Sequence, residues 1–129
     1  MIKKVDHIGL AVSNVDNVVD IFNGLFSLNP RVIDSDSSLK AAFIEVGGVD
    51  IEPVQPLDAK SSIARSVEKN GNTIHHICFE VDNVDRELRR LATMGVELLD
   101  KKGRPSFAGK VGFLHPGSTA GILIELVEK

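Results

Sequence analysis

The chain contains no tryptophan, no tyrosine and a single cysteine, Cys78. One cysteine excludes an intrachain disulfide, so a reducing, cytoplasmic setting is expected. Six phenylalanines are the only aromatics, too few for an aromatic platform that stacks nucleic-acid bases. Neither sign of charge forms a long run, and the formal net charge is −3. No basic footprint for DNA or RNA results. No apolar run approaches the roughly 20 residues that cross a bilayer, so no membrane partner is expected. The basic start Met1-Ile2-Lys3-Lys4 meets Asp6 and His7 at once, which reads as a strand opening and not as a signal peptide. No P-loop and no GxGxxG run is present.

What remains has the proportions of one globular domain: 129 residues, 43% hydrophobic and 26% charged. A chain of this size buries roughly two-thirds of its unfolded surface. Such a core needs no metal for stability, so a metal would be present for function.

The sequence is internally duplicated. Residues 6–16 (DHIGLAVSNVD) align with residues 75–85 (HHICFEVDNVD), six of eleven being identical: His7/His76, Ile8/Ile77, Val12/Val81, Asn14/Asn83, Val15/Val84 and Asp16/Asp85. A second match sets Ile51-Glu52-Pro53-Val54 against Ile124-Glu125-Leu126-Val127. The first pair is displaced by 69 positions and the second by 73, so the second copy carries four extra residues.

Hydrophobic periodicity gives each copy the same elements. Residues 7–12 alternate, with Ile8, Leu10 and Val12 on one face and His7, Gly9 and Ala11 on the other. Ser13 or Asn14 caps a helix to about Leu25, with Val15, Val18, Val19 and Phe22 at helical spacing; Gly24 and Asn29-Pro30 end it. Strands follow at 31–34, 39–46 and 49–54, the last two joined by a Gly47-Gly48 turn. The second copy has a strand at 73–81, a cap at Asp82 or Asn83, and a helix to Met94 that buries Val84, Leu88, Leu91 and Ala92. Gly95 stops it. Strands are predicted at 96–99, 110–114 and 121–127. The fold class is α+β: tandem duplicated βαβββ modules forming a curved mixed sheet. Module one is about residues 1–57, the linker 58–72 with a helix near 61–68, and module two 73–129. Exposed sheet edges in such a chain favour a homodimer.

The duplication singles out four polar residues. Each copy places one histidine in its first strand and one glutamate in its last: His7 and Glu52, His76 and Glu125. A lone strand histidine is most often a satisfied polar residue. A duplicated chain keeps apolar residues in both copies to fold; keeping the same polar residues at four strand positions calls for another reason. Two imidazoles and two carboxylates, brought together about a pseudo-twofold axis, suit one divalent metal ion: Co, Ni, Zn, Mn or Fe. The set lacks the thiolates of a structural zinc site. His75 points away from His76 by alternation, and His115, before Pro116-Gly117, reads as a turn residue. Cys78 shares a face with His76 and reads as a small buried hydrophobe.

At these residues the chain resembles the vicinal oxygen chelate superfamily, which includes glyoxalase I, extradiol dioxygenases and bleomycin resistance proteins. Within it the chain is most similar to the methylmalonyl-CoA epimerases, through DHIGLAV at 6–12, IHHICFEV at 74–81, FLHP at 113–116 and STAGILIEL at 118–126. The resemblance implies a glyoxalase-like fold and the same four metal ligands. It also implies an isomerase that works through a metal-stabilised enolate on a thioester. The lactoylglutathione lyases (glyoxalase I), acting on a hemithioacetal, are the alternative, and a small-molecule-binding resistance-type protein a further one. Epimerases carry a glutamate a few residues before the third strand; here Asp36 matches it. Asp36 and Glu125 are therefore the catalytic candidates, with Glu45 a weaker one. A Gly-Ala-His-Gly loop is replaced by residues 104–110. Lys101, Lys102, Arg104 and Lys110 are candidates to meet CoA phosphates.

Overall fold

The computed structural model describes residues 1–129. Along the chain run β1 (Ile2–Ala11), α1 (Val15–Phe26), β2 (Val32–Ser35), β3 (Leu39–Val46), β4 (Val49–Pro56), α2 (Ser62–Asn70), β5 (Thr73–Val81), α3 (Val84–Thr93), β6 (Arg104–Ser106), β7 (Gly109–Phe113) and β8 (Ile124–Glu128). The eight strands belong to a mixed sheet, and the fold is the expected α+β duplication. Two compact units are present, Ile8–His75 and Met1–His7 with His76–Lys129. Their boundaries fall inside β1 and β5.

In the unit Ile8–His75 the strand order is β2-β3-β4-β1. Gly47 and Gly48 both have positive φ, 59° and 84°. They turn the β3–β4 hairpin between the paired residues Val46 and Val49, as a two-residue turn with left-handed backbone requires. Asn14 caps α1, its side chain accepting the Asn17 N–H at 2.9 Å. The helix lays Val15 and Val18 on Val12 and Ala42. It runs through the expected stop at Gly24 and ends where Ser27 turns left-handed at φ 56°. Glycine weakens a helix interior without ending it; the left-handed residue after the last turn is what stops it. Beside this core lies a cavity of about 470 Å³ with an apolar lining that includes Ile8, Leu10, Val12, Val18, Phe22 and Ile51.

In the other unit β5 pairs in parallel with β8, and β7 lies antiparallel to both β8 and β6. Asn83 caps α3 with the same backbone angles as Asn14, φ −152° and ψ 109°. Val81, Val84, Leu88, Leu114 and Leu126 form the core beneath the helix. Ala92, expected inside, is exposed, while Leu91 is half-buried. The strand expected at 96–99 is reduced to a single bridge between Leu98 and Leu114. Its apolar residues Val96 and Leu98 cover the core from an irregular segment. The missing strand is β6, which pairs Pro105 with Lys110. Its three residues are exposed, so it shows no alternation, and proline is tolerated on an edge strand.

Candidate metal centre

Three of the four expected ligands meet within one unit. His7 stands on β1, His76 on β5 and Glu125 on β8, and each is at most 7% exposed. The β5–β8 register pairs Cys78 with Glu125, so β5 turns His76, two residues away, to the same face. His7 Nε2 lies 2.9 Å from Glu125 Oε1, His76 Nε2 lies 3.2 Å from the same oxygen, and the two Nε2 atoms are 3.2 Å apart. A divalent ion with ligand bonds of about 2.1 Å spaces neighbouring octahedral donors by roughly 3 Å. The triangle has that size.

The protonation of His7 sharpens the fit. Its Nδ1 is 2.7 Å from Asp6 Oδ2, so Nδ1 carries the hydrogen and donates it. A neutral His7 then turns an Nε2 lone pair toward Glu125 and His76. Lone pairs crowded at 2.9 to 3.2 Å repel unless a cation sits among them, a shared proton or a metal ion. Asp6 is itself buried, and its other oxygen accepts from Lys129 Nζ at 3.1 Å. Carboxylates that hold the far nitrogen of a ligand histidine orient the ring and raise its basicity.

The charges agree with a cation site. Burial pushes the Glu125 carboxyl up. With a proton on each Nε2 in place of a metal ion, hydrogen bonds from His7 and His76 outweigh that burial and bring it down to about 2. Burial likewise acts to raise Asp6, and its bonds to His7 and Lys129 leave it below the ordinary value. Cys78 is fully buried, and that burial pushes its thiol up to about 12. Asp6, His7 and Cys78 form a second close group, in which Asp6 and His7 already bond to one another at 2.7 Å.

The remaining sequence candidates fall elsewhere. Glu52 is buried on β4, in the unit Ile8–His75. Asp36 is exposed in the β2–β3 turn, where Oδ1 accepts N–H groups from Ser38 at 2.7 Å and Leu39 at 2.9 Å. Those two bonds hold its carboxyl below the usual range. Glu45 is exposed on β3. Lys101 and Lys102 are exposed, whereas Lys110 is taken up in an ion pair with Asp85, which counts against a phosphate-binding role. His115 caps the turn Pro116–Ser118, accepting the Gly117 N–H at 2.9 Å. Sequence reasoning missed Asp6 and Phe113, whose ring packs edge-on against His76 at 5.4 Å. Asp6 had a signal, an acid directly before a candidate ligand histidine; Phe113 stood in the FLHP stretch, which pointed to the family and not to a role.

Known proteins share both the sequence and the fold. The model of the Glyoxalase/Bleomycin resistance protein/Dioxygenase superfamily matches residues 6–113. The chain is 32% identical to the uncharacterized protein YqjC of Bacillus subtilis, over 97% of this chain and 91% of that one. It is also 32% identical to the mitochondrial methylmalonyl-CoA epimerase of Dictyostelium discoideum, over 99% of this chain and 80% of that one. A methylmalonyl-CoA epimerase solved in complex with methylmalonyl-CoA is 25% identical. It superposes with a TM-score of 0.93 over 100% of this chain and 96% of its own.

Proposed function

The chain belongs to the glyoxalase/bleomycin resistance protein/dioxygenase superfamily, and we propose that it is a metal-dependent isomerase that epimerises methylmalonyl-CoA. One observation carries the reading. In a chain with epimerase relatives, His7, His76 and Glu125 close a triangle of metal-ligand size. These three residues would hold the ion, and the repeat nominates Glu52 as a fourth ligand. A divalent ion there supplies a Lewis acid for the negative charge that grows on the substrate's carbonyl oxygens as the neighbouring C–H is broken.

The chain's own groups do the rest. Asp6 holds His7 in the tautomer that leaves its Nε2 lone pair free to take an ion. Phe113 forms an apolar wall on His76, which excludes water and strengthens the local electrostatics. Inversion at C2 removes a proton from one face and returns one to the other. That takes two acid/base groups, or one that reaches both faces. Glu125 is ionised at neutral pH and is one candidate; Asp36, nominated by likeness to the epimerases, is the other.

The test loads the protein with Co²⁺, Ni²⁺ or Zn²⁺ and follows deuterium uptake from solvent at C2 of methylmalonyl-CoA. Exchange is expected, and it should vanish on chelation. No exchange, with S-lactoylglutathione formed from methylglyoxal and glutathione instead, would transfer the protein to the lyases. We further propose a homodimer, since the edge strands β2 and β6 are exposed along their whole lengths; sedimentation checks it. No helix is long and apolar enough to cross a membrane. The lone buried Cys78 supports a cytoplasmic setting.

A further inference from the structure

Arg104 is held in an unusual way for a half-exposed cation. Its guanidinium lies over the ring of Phe113, 5.6 Å from the centroid. Asp100 braces both partners: one carboxylate oxygen accepts from Arg104 Nε at 3.2 Å, and the other accepts the Phe113 N–H at 2.8 Å. Phe113 in turn packs on His76, with centroids 5.4 Å apart. The two steps of 5.6 and 5.4 Å put the guanidinium carbon no more than 11.0 Å from the His76 ring centre.

The bracket engages one face and one nitrogen. The two terminal nitrogens make no hydrogen bond within the chain, and the side chain is 53% exposed. Four other cations of this unit are matched to carboxylates at their charged ends: Lys110 to Asp85, Lys129 to Asp6, Lys3 to Asp82 and Arg90 to Glu87. A surface arginine ordinarily gives up rotamer freedom only for a partner. Here that freedom is already reduced, and the outer fork is left open in the geometry that takes two oxygens of a carboxylate or phosphate.

We propose that Arg104 binds an oxyanion of the acyl-CoA substrate and so selects thioesters that carry a negative group beside the metal centre. The proposal rests on the acyl-CoA reading above. Two groups of such a substrate share the chemistry, the free carboxylate of the methylmalonyl unit and the phosphates of the coenzyme.

The test measures binding to the metal-loaded protein by calorimetry, for wild type, Arg104→Gln and Arg104→Lys. The ligands are methylmalonyl-CoA, the truncated thioester methylmalonyl-pantetheine, and CoA alone. Arg104→Gln should weaken methylmalonyl-CoA binding by about ten- to a hundredfold, the usual worth of a charged hydrogen bond. Bound metal and melting temperature should be unchanged. Arg104→Lys, which keeps the charge and loses the planar fork, should recover part of the loss. A loss shared by methylmalonyl-pantetheine assigns the fork to the carboxylate; a loss confined to methylmalonyl-CoA and CoA assigns it to a phosphate. Equal affinities for wild type and Arg104→Gln overturn the proposal. If the wild type binds thioester without C2 exchange, the epimerase reading falls and Arg104 is still decided by the affinities. If the wild type binds none of the three ligands, both ideas fall.

Discussion

In the unit Ile8–His75, Asn14 caps α1, Gln55 accepts the Val15 N–H at 3.0 Å, and Asp16 pairs with Lys40. In the other unit, Asn83 caps α3, Glu128 accepts the Val84 N–H at 2.9 Å, and Asp85 pairs with Lys110. The duplication has thus copied its scaffold contact by contact. It has not copied the chemistry in the same way. His7 comes from the first copy, yet it lies with His76 and Glu125 in the unit built mainly from the second. The residue before each histidine also differs: Asp6 in one copy, His75 in the other. Contacts that hold a helix on a sheet are needed twice and persist twice. A single metal needs one ligand set, and its supporting carboxylate needs to exist once.

The largest effect should come from breaking the ligand set. His76→Ala is expected to abolish stoichiometric metal binding, read by elemental analysis after Co²⁺ loading and dialysis, and with it C2 exchange. Glu52→Ala makes the same measurement on the glutamate that the repeat equates with Glu125. Reduced metal content supports both glutamates as ligands, whereas unchanged stoichiometry would leave Glu125 as the only carboxylate ligand of the repeat. Asp6→Asn should be milder. Loss of an outer carboxylate typically costs ten- to a hundredfold in metal affinity, measured by competition with a chelator. An unchanged affinity would show that the asymmetry between Asp6 and His75 has no bearing on the metal.

The fold and the three residues that meet in the close triangle were legible because duplication writes itself into sequence twice. Val12/Val81 and Asn14/Asn83 recur for packing and capping, and His7/His76 recurs without either reason. What escaped lacks periodicity. β6 carries three exposed residues on an edge, while Val96 and Leu98 cover a core from a segment whose only bridge joins Leu98 to Leu114. The four extra residues of the second copy also divide in a way that no alignment of short matches reveals. Lys40 and Lys110 are 70 positions apart while Glu52 and Glu125 are 73 apart, so three of the four fall between β7 and β8. A Gly-Gly turn of the first copy is replaced there by the longer connection containing Pro116–Ser118. Asp36 rests on likeness alone, and its hydrogen bonds to Ser38 and Leu39 give it a turn-forming role that sequence patterning did not expose.

A core pair distinguishes the two scaffolds more finely. Leu88 packs so closely over Gly112 that a Cβ there would lie 2.8 Å from Leu88 Cδ1. The matching positions in the first copy are Val19 and Ala42, which pack in the cluster under α1. A smaller helix residue faces a larger strand residue. Gly112→Ala should destabilise the protein by about 1–3 kcal/mol, the range for overpacking, read by chemical denaturation. Adding Leu88→Val should recover part of that loss by recreating the pairing of the first copy. Additive losses would mean that the two residues do not compensate.

The smallest effect separates the two caps. Replacing a capping asparagine with alanine costs about 1 kcal/mol, so Asn14→Ala and Asn83→Ala each test a contact that the duplication kept. The two sites are not electrostatically equal. The first turn of α3 carries Asp85 and Glu87, that of α1 only Asp16. The first N–H of α3 also meets the carboxylate of Glu128, where α1 has the neutral amide of Gln55. Negative charge at a helix N-terminus stabilises it, and a charged acceptor makes the stronger hydrogen bond. Helix α3 should therefore tolerate loss of its cap better, and Asn14→Ala should lower the melting temperature more than Asn83→Ala. Added salt screens the exposed charges and should narrow the difference. A larger loss at Asn83 would mean that the acids around α3 are occupied by Lys110 and Arg90 and do little for the helix end.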